Sequence, residues 1–155
     1  MIPAASRKAC LLGLAAALLL AGCARPPSFT PVEGTVLLND KPLPNARVEF
    51  VPDLSRYGAE YNASGITDEN GRFTLSGTYK GEPGGPVGKC RVVVTEAPAP
   101  ADTRGMDGAS QERFAKYVQG LKNRPIPETY GAVGSTPLTV DVKPDQKDYA
   151  INLKR

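Results

Sequence analysis

This chain has few residues with which to do chemistry. Its 155 residues contain no His and no Trp, three Cys, 16 Gly and 15 Pro. Without His there is no His-based catalytic triad, no Cys–His nucleophile pair and no side chain that titrates near neutrality by default. Most zinc and iron sites go with it. Cys90 lies in a run, Lys89 to Glu96, in which Cys90, Val92 and Val94 share one face. That placement suits a small buried hydrophobe better than a reactive thiol. Asp68, Asn70 and Gly71 make half of a calcium loop, but no Glu completes it at the EF-hand spacing, and a tight turn uses the same residues. Gly84 to Lys89 has the composition of a phosphate-binding loop without its spacing. Pro83 stands where the first Gly belongs, and Cys90 where Ser or Thr would hold magnesium. No residue is therefore assigned a catalytic role, and no metal or cofactor is expected.

Cys23 has a different prospect. Arg7 and Lys8 precede an apolar run from Ala9 to Ala21, broken only by Gly13. That run is shorter than the ~20 residues that span a bilayer, and it has the length and flanks of an export signal. It ends in Leu20-Ala21-Gly22-Cys23, which resembles the lipobox of bacterial lipoproteins. The resemblance implies diacylglycerol on the Cys23 thiol, cleavage after Gly22, and acylation of the new amine. Two or three acyl chains give stable anchoring. Ala24, rather than Asp, follows the cysteine, which by the same resemblance favours the outer membrane of a cell that has one. The alternative is an ordinary secretory signal with a coincidental cysteine. Asn62-Ala63-Ser64 fits a glycosylation sequon, a modification rarely met in bacterial lipoproteins.

The chain then divides into a signal (1–22), a proline-bearing tether (23–31) and one domain (32–155). Cleavage removes Arg7 and Lys8, which leaves 17 basic residues against 16 acidic ones. That balance gives no electrostatic case for nucleic acid. With Cys10 in the signal and Cys23 lipidated, only Cys90 remains, so no intrachain disulfide is available.

Period-two alternation predicts strands. The first starts near Val32 and carries Val36 and Leu38. The second carries Ala46, Val48 and Phe50. A weaker third spans about Tyr61 to Thr67. Asp68-Glu69-Asn70-Gly71 then reads as a hairpin turn into a fourth with Phe73 and Leu75. The Gly/Pro-rich stretch from Gly81 to Gly88 reads as a loop feeding a fifth, Lys89 to Glu96. The sixth carries Leu138, Val140 and Val142, and the seventh Tyr149, Ile151 and Leu153. Seven short strands with turn signals predict an all-β, antiparallel sandwich or barrel. Residues 97–135 break the rhythm. There Phe114, Tyr117, Val118 and Leu121 fall at i, i+3, i+4 and i+7, which predicts a helix at about Ser110 to Lys122, with Ser110 placed to cap it.

Several of these stretches resemble carboxypeptidase regulatory-like domains. Val32-Glu33-Gly34-Thr35-Val36, with Lys41-Pro42-Leu43-Pro44-Asn45-Ala46-Arg47-Val48-Glu49-Phe50, is similar to their opening hairpin. Thr67-Asp68-Glu69-Asn70-Gly71-Arg72-Phe73-Thr74-Leu75 is similar to their next one. Pro83-Gly84-Gly85 into Arg91-Val92-Val93-Val94 resembles the following strand. Ile126-Pro127-Glu128-Thr129-Tyr130, with Ser135-Thr136-Pro137-Leu138-Thr139-Val140, resembles the ending of a subset of bacterial lipoproteins. The resemblance implies a seven-stranded transthyretin-like, or prealbumin-like, sandwich with a short helical insertion. Transthyretin-like ureide hydrolases use His, Arg and Ser, and intradiol dioxygenases bind iron through His and Tyr. A chain without His inherits neither chemistry.

The expected function is that of a non-catalytic binding or scaffolding module, lipid-anchored at the cell envelope. The helical stripe of Phe114, Tyr117, Val118 and Leu121 is its candidate interaction surface, flanked by Arg113, Lys116 and Lys122 and joined by residues 126–135. The same stripe also reads as an amphipathic face packed into the core. The alternative function is a carbohydrate or cell-wall polymer-binding module, for which Tyr57, Tyr61 and Tyr79 are the aromatic candidates. The expected partners are thus the membrane, through the N-terminal lipid, and an envelope protein or a glycan.

Overall fold

The computed structural model describes residues 26–53, 58–78 and 80–155. Cys23, Tyr57 and Tyr79 lie outside the described residues. Alternation of inward and outward side chains lays down the longer strands. β1 (Phe29–Thr30) is followed by β2 (Glu33–Leu38), which turns Gly34, Val36 and Leu38 inward. After β3 (Lys41–Pro42), β4 (Ala46–Pro52) buries Ala46, Val48 and Phe50. Next come β5 (Ala63–Ile66), β6 (Arg72–Thr74), β7 (Ser76–Gly77) and β8 (Gly85–Pro86). β9 (Gly88–Glu96) buries Cys90, Val92, Val93 and Val94. The one α-helix among the described residues, α1 (Gly108–Gly120), precedes β10 (Thr139–Val142) and β11 (Asp148–Leu153). β1, β3, β7 and β8 escape a reading by periodicity because two residues cannot display a period.

The result, among the described residues, is a β-rich fold of mostly antiparallel sheets with one α-helix. A five-stranded sheet runs in the order β10-β9-β4-β5-β7, and β2 is the centre of a second sheet. There β11 lies along one edge of β2, while β3 and β6 share the other. β1 and β8 form a separate ribbon.

Three expectations need correction. The fold is not wholly antiparallel, because β11 pairs with β2 in parallel, Asp148 opposite Glu33 through Leu153 opposite Leu38. The turn after β10 hands the chain to the second sheet at the end where β2 begins, and the Glu33 N–H donates to the Lys147 carbonyl at 2.9 Å. The Asn70-Gly71 turn forms, but it does not make a simple hairpin. β5 belongs to the first sheet, whereas β6 pairs with β2 in the second. The chain then crosses back, and β7 pairs with β5. A strand that changes sheets closes one side of the structure. Phe29 and Thr30, expected in the tether, are β1, and the Thr30 side chain is buried.

The Gly/Pro stretch before β9 also proves to be more than a loop. Gly84 and the β8 residues are buried. Gly84 adopts φ +98°, and a side chain there would run into the Thr30 carbonyl. Only glycine permits that close approach.

The core lies between the sheets, and its centre is aromatic. Phe50 of β4 meets Phe73 of β6 at 6.2 Å between ring centroids, and Tyr149 of β11 edge-on at 6.4 Å. Leu38, Leu43, Leu75 and Leu153 fill the space around them, each at most 1% exposed. Buried polar groups are paired. The Thr67 hydroxyl accepts from the Ala46 N–H and donates to the Leu43 carbonyl. Ahead of β10, the chain from Ile126 to Thr136 bridges β9 and the end of β11. Thr136 donates to the Val92 carbonyl at 2.7 Å. Tyr130, 7% exposed, sits in the core, and its hydroxyl donates to the Lys154 carbonyl and accepts from the Lys154 N–H.

Phe50 touches both sheets, so Phe50→Ala should cost about 3–5 kcal/mol. Urea unfolding should show this as a lower midpoint at an unchanged slope.

Candidate functional site

The helical insertion is fixed to the sandwich at its two ends and stands away from it between them. It starts two residues earlier than the stripe alone indicates, because Asp107 rather than Ser110 is the cap. The Asp107 carboxylate accepts the Ser110 N–H at 2.9 Å and the Ser110 hydroxyl at 2.7 Å. These bonds, the hydroxyl first, hold the Asp107 carboxyl below its ordinary range. The helix ends at Gly120, where Leu121 turns to extended backbone at φ −67°, ψ 122°. Along its length it rests chiefly on the one-turn helix Ala101–Thr103. There Arg113 Nε donates to the Asp102 carbonyl at 3.0 Å.

Two neighbouring residues clamp the return to the sandwich. Asn123, at φ +57°, donates through Nδ2 to the carbonyls of Leu38, Lys41 and Pro42. Its Oδ1 accepts from Arg155. Arg124 pairs with the Glu96 carboxylate at 2.7 Å and donates to the carbonyls of Pro44, Asn45 and Lys122. Arg124 is 15% exposed, so its charge is largely spent within the fold.

Between these attachments the apolar stripe remains open. Phe114 is 45% and Val118 46% exposed, Tyr117 and Leu121 are half-buried, and Ser110 is the one buried residue of the helix. The packed-core reading of the stripe is therefore incorrect. The four side chains form one wall of a groove of about 420 Å³. Ala97, Ala99, the Glu96–Arg124 pair and Pro125 complete the lining. The structure brings together Phe114, Tyr117, Val118 and Leu121 as the spacing indicates. It does not add residues 126–135 to that surface, since Tyr130 is a core residue. Two of the expected basic flanks are paired, Arg113 with Asp102 at 3.7 Å and Lys116 with Glu112 at 2.8 Å. Lys122 has no ion pair among the described residues.

The groove and β1 lie at opposite ends of the sandwich. Glu96 faces Ala46 at one end of the β4–β9 pair, and the Ala97 N–H donates to Asn45. β1 pairs with Pro86, beside Cys90, which faces Pro52 at the other end. Seven strand residues separate the ends, about 20 Å.

The remaining candidates divide clearly. Tyr61 lines a smaller cavity, about 200 Å³, at the β1 end with Phe29, Glu60, Glu82 and Lys80. Asp68 Oδ1 accepts from the backbone N–H groups of Asn70 and Arg72, both at 2.8 Å, so its role is the turn. Asn62 of the sequon donates to Glu49 at 2.8 Å. Cys90 is fully buried, and burial, with help from Asp141, pushes its thiol up to about 12. Among the described residues, no three His, Cys, Asp or Glu side chains gather as a metal site would require. The clamp made by Asn123 and Arg124 escapes the sequence reading because a side chain that bonds distant carbonyls leaves no periodic signal, and Ala97 attaches through its backbone alone.

Two outcomes follow. Phe114→Asp should change folding stability by no more than about 0.5 kcal/mol, because the ring is half in water already; urea unfolding checks it. Cys90 should resist thiol reagents at pH 8 until the protein is denatured. Its native form keeps its proton where the unfolded thiol loses it. Stability should therefore decline as pH rises from about 9 toward about 12, while the Cys90→Ala variant shows a flatter profile over that range.

Comparison with protein-family models, with curated proteins and with solved structures finds no match for this chain.

Proposed function

We propose that this protein is an exported, lipid-anchored, non-catalytic binding module of the cell envelope, and that the helix groove is its binding surface. The open stripe of α1 carries this reading. A helix that leaves Phe114 and Val118 nearly half exposed keeps apolar area that folding alone would favour burying. Its position supports the reading too. The groove lies at the end of the sandwich away from β1, so a chain anchored before β1 presents the groove outward. The lipobox-like Leu20-Ala21-Gly22-Cys23 and the prolines that follow support the anchor. The lack of any His and the buried, raised Cys90 thiol leave no activated nucleophile for the common hydrolytic mechanisms. On the resemblance of its turn and strand motifs, the sandwich is of the transthyretin-like, carboxypeptidase regulatory-like kind. The outer membrane is the favoured location.

A second reading, a carbohydrate-binding module, has one observation in its favour. The cavity at the β1 end combines two aromatic rings, Phe29 and Tyr61, with the carboxylates Glu60 and Glu82. Rings offer an apolar face, and carboxylates accept from hydroxyls. Binding on a glycan array that Tyr61→Ala abolishes would favour this reading over the groove.

The anchor is tested by metabolic labelling with a palmitate analogue in cells. Wild-type protein should take up label and fractionate with membranes, whereas Cys23→Ser should remain an unlabelled, uncleaved precursor. Normal processing of Cys23→Ser would show an ordinary secretory signal instead.

A further inference from the structure

One strand edge of the sandwich is open. β11 is hydrogen-bonded to β2 along one side, and no strand lies along the other. The Lys147 and Leu153 carbonyls accept from the Glu33 and Asn39 N–H groups at 2.9 and 3.0 Å, so the odd-numbered residues face β2. Alternation turns the N–H and C=O groups of Asp148, Ala150 and Asn152 away from the sheet. Lys154, next in that row, is closed by the Tyr130 hydroxyl. The Asp148 carbonyl accepts from Gln146 Nε2 at 3.2 Å and keeps a second lone pair. The rest of the row has no partner among the described residues. The other edges are guarded. β3 is two residues, Lys41 and Pro42, and Asn123 holds both carbonyls. β7 is two residues and bridges to Pro83 through Ser76. β10 is four residues, with Pro137 before it and Pro144 after it. β11 has six residues in unbroken register and no proline. Such an edge is a template for another strand.

The open row is complementary to itself. An antiparallel copy of β11, related by a twofold axis at Ala150, uses it without remainder. Ala150 then faces Ala150 of the second copy, and Asp148 faces Asn152, so every outward N–H meets an outward carbonyl. The side chains agree. Ala150 places a methyl group at the axis, and the Asp148 carboxylate stands opposite an Asn152 amide that can donate to it. Lys154, exposed two residues further on, stands diagonal to Asp148 of the second copy. Neither Asp148 nor Lys154 has an ion pair among the described residues. Other registers fail on the same residues. An axis at Asp148 opposes two carboxylates. An axis at Asn152 sets Ala150 against Lys154, whose N–H and carbonyl are already taken.

We infer that β11 pairs with β11 of a second copy of this chain, antiparallel about Ala150, so that two chains share one continuous sheet. None of these residues lines the helix groove, and the inference does not depend on the binding-module reading.

The test uses the full chain expressed in cells. Opposed residues of a hydrogen-bonded antiparallel pair have Cα atoms ~5.5 Å apart, within reach of a disulfide. Ala150→Cys should therefore give a disulfide-linked dimer on mild oxidation. Asn152→Cys alone should not, because its two copies stand about 14 Å apart along the strands, and neither should Asp148→Cys alone. Chains carrying Asp148→Cys and Asn152→Cys should link to each other when coexpressed. The wild-type chain sets the background from Cys10 and Cys23. Sedimentation velocity of the purified full chain in detergent reads the same equilibrium without a cross-link. Asp148→Lys and Lys154→Asp should each weaken dimerisation about threefold or more, and the double variant should restore it. Both side chains are exposed, so these reversals leave the fold intact. A monomer at every concentration, no link through Ala150→Cys, a link through Asn152→Cys alone, or a dimer indifferent to both reversals would each overturn the proposal. Capture of a different protein through Ala150→Cys would overturn it too, by making the edge a site for a partner's strand.

Discussion

The structure depends on one contact between its two sheets, the packing of Phe50 against Phe73 and Tyr149. The described residues contain a single cysteine, which is buried and free, so nothing covalent holds the sheets together. Folding must be driven by apolar burial alone, in a domain with little aromatic area to spare. Phe50 comes from the middle of the first sheet, and its two partners come from strands on opposite edges of β2. One ring thereby ties β4 to both flanks of the second sheet. The sheet-crossing segment from β6 to β7 closes one side around this centre, and Tyr130 closes the other.

That economy explains why the helix is left outside. The sandwich is complete without it: both sides are sealed, and the buried polar atoms among the described residues all have partners. The stretch from Ala97 to Arg124 that carries the helix contributes its two attachments. At one, Asn123 and Arg124 bond the carbonyls at the end of β2 and before β4. At the other, the Ala97 N–H continues the β4–β9 ladder by one bond to Asn45. Between them a helix is the cheapest way to carry the chain across water, since it satisfies its own backbone. Its apolar stripe then needs a reason beyond stability of the sandwich, and the proposed binding surface supplies one.

Much of this was legible in the sequence. The alternation in 33–38, 46–52, 88–96 and 148–153 marks strands because each has one face in the core and one in water. The 3–4 spacing of Phe114, Tyr117, Val118 and Leu121 marks a helix for the same physical reason. Spacing does not say which sheet a strand joins. Asp68 to Gly71 has the residues of a hairpin turn and makes the turn, yet β6 pairs with β2 because Phe73 gains its place against Phe50 there. The parallel pairing of β11 is hidden likewise, since a two-residue period looks the same in either direction. An amphipathic stripe cannot announce whether it faces a core or a groove. Here the decision is made by contacts far away in sequence, the carbonyls of Leu38, Lys41, Pro42, Pro44 and Asn45 that hold Asn123 and Arg124. The proposed lipobox at Cys23 would be the opposite case, a local signal complete in four residues.

The central claim is that α1 is an outrigger, held at its ends and independent of the core that holds the sheets. Native-state amide hydrogen exchange on the full-length protein tests it most directly. The account predicts that amides of Glu112 to Gln119 exchange through a local opening far less costly than global unfolding, while those of Val48, Phe50, Val92 and Ile151 exchange only when the whole domain unfolds. Helix amides protected to the same level as β4 and β9, and responding to denaturant with the same slope, would show that the helix folds as one unit with the sandwich and would contradict the account.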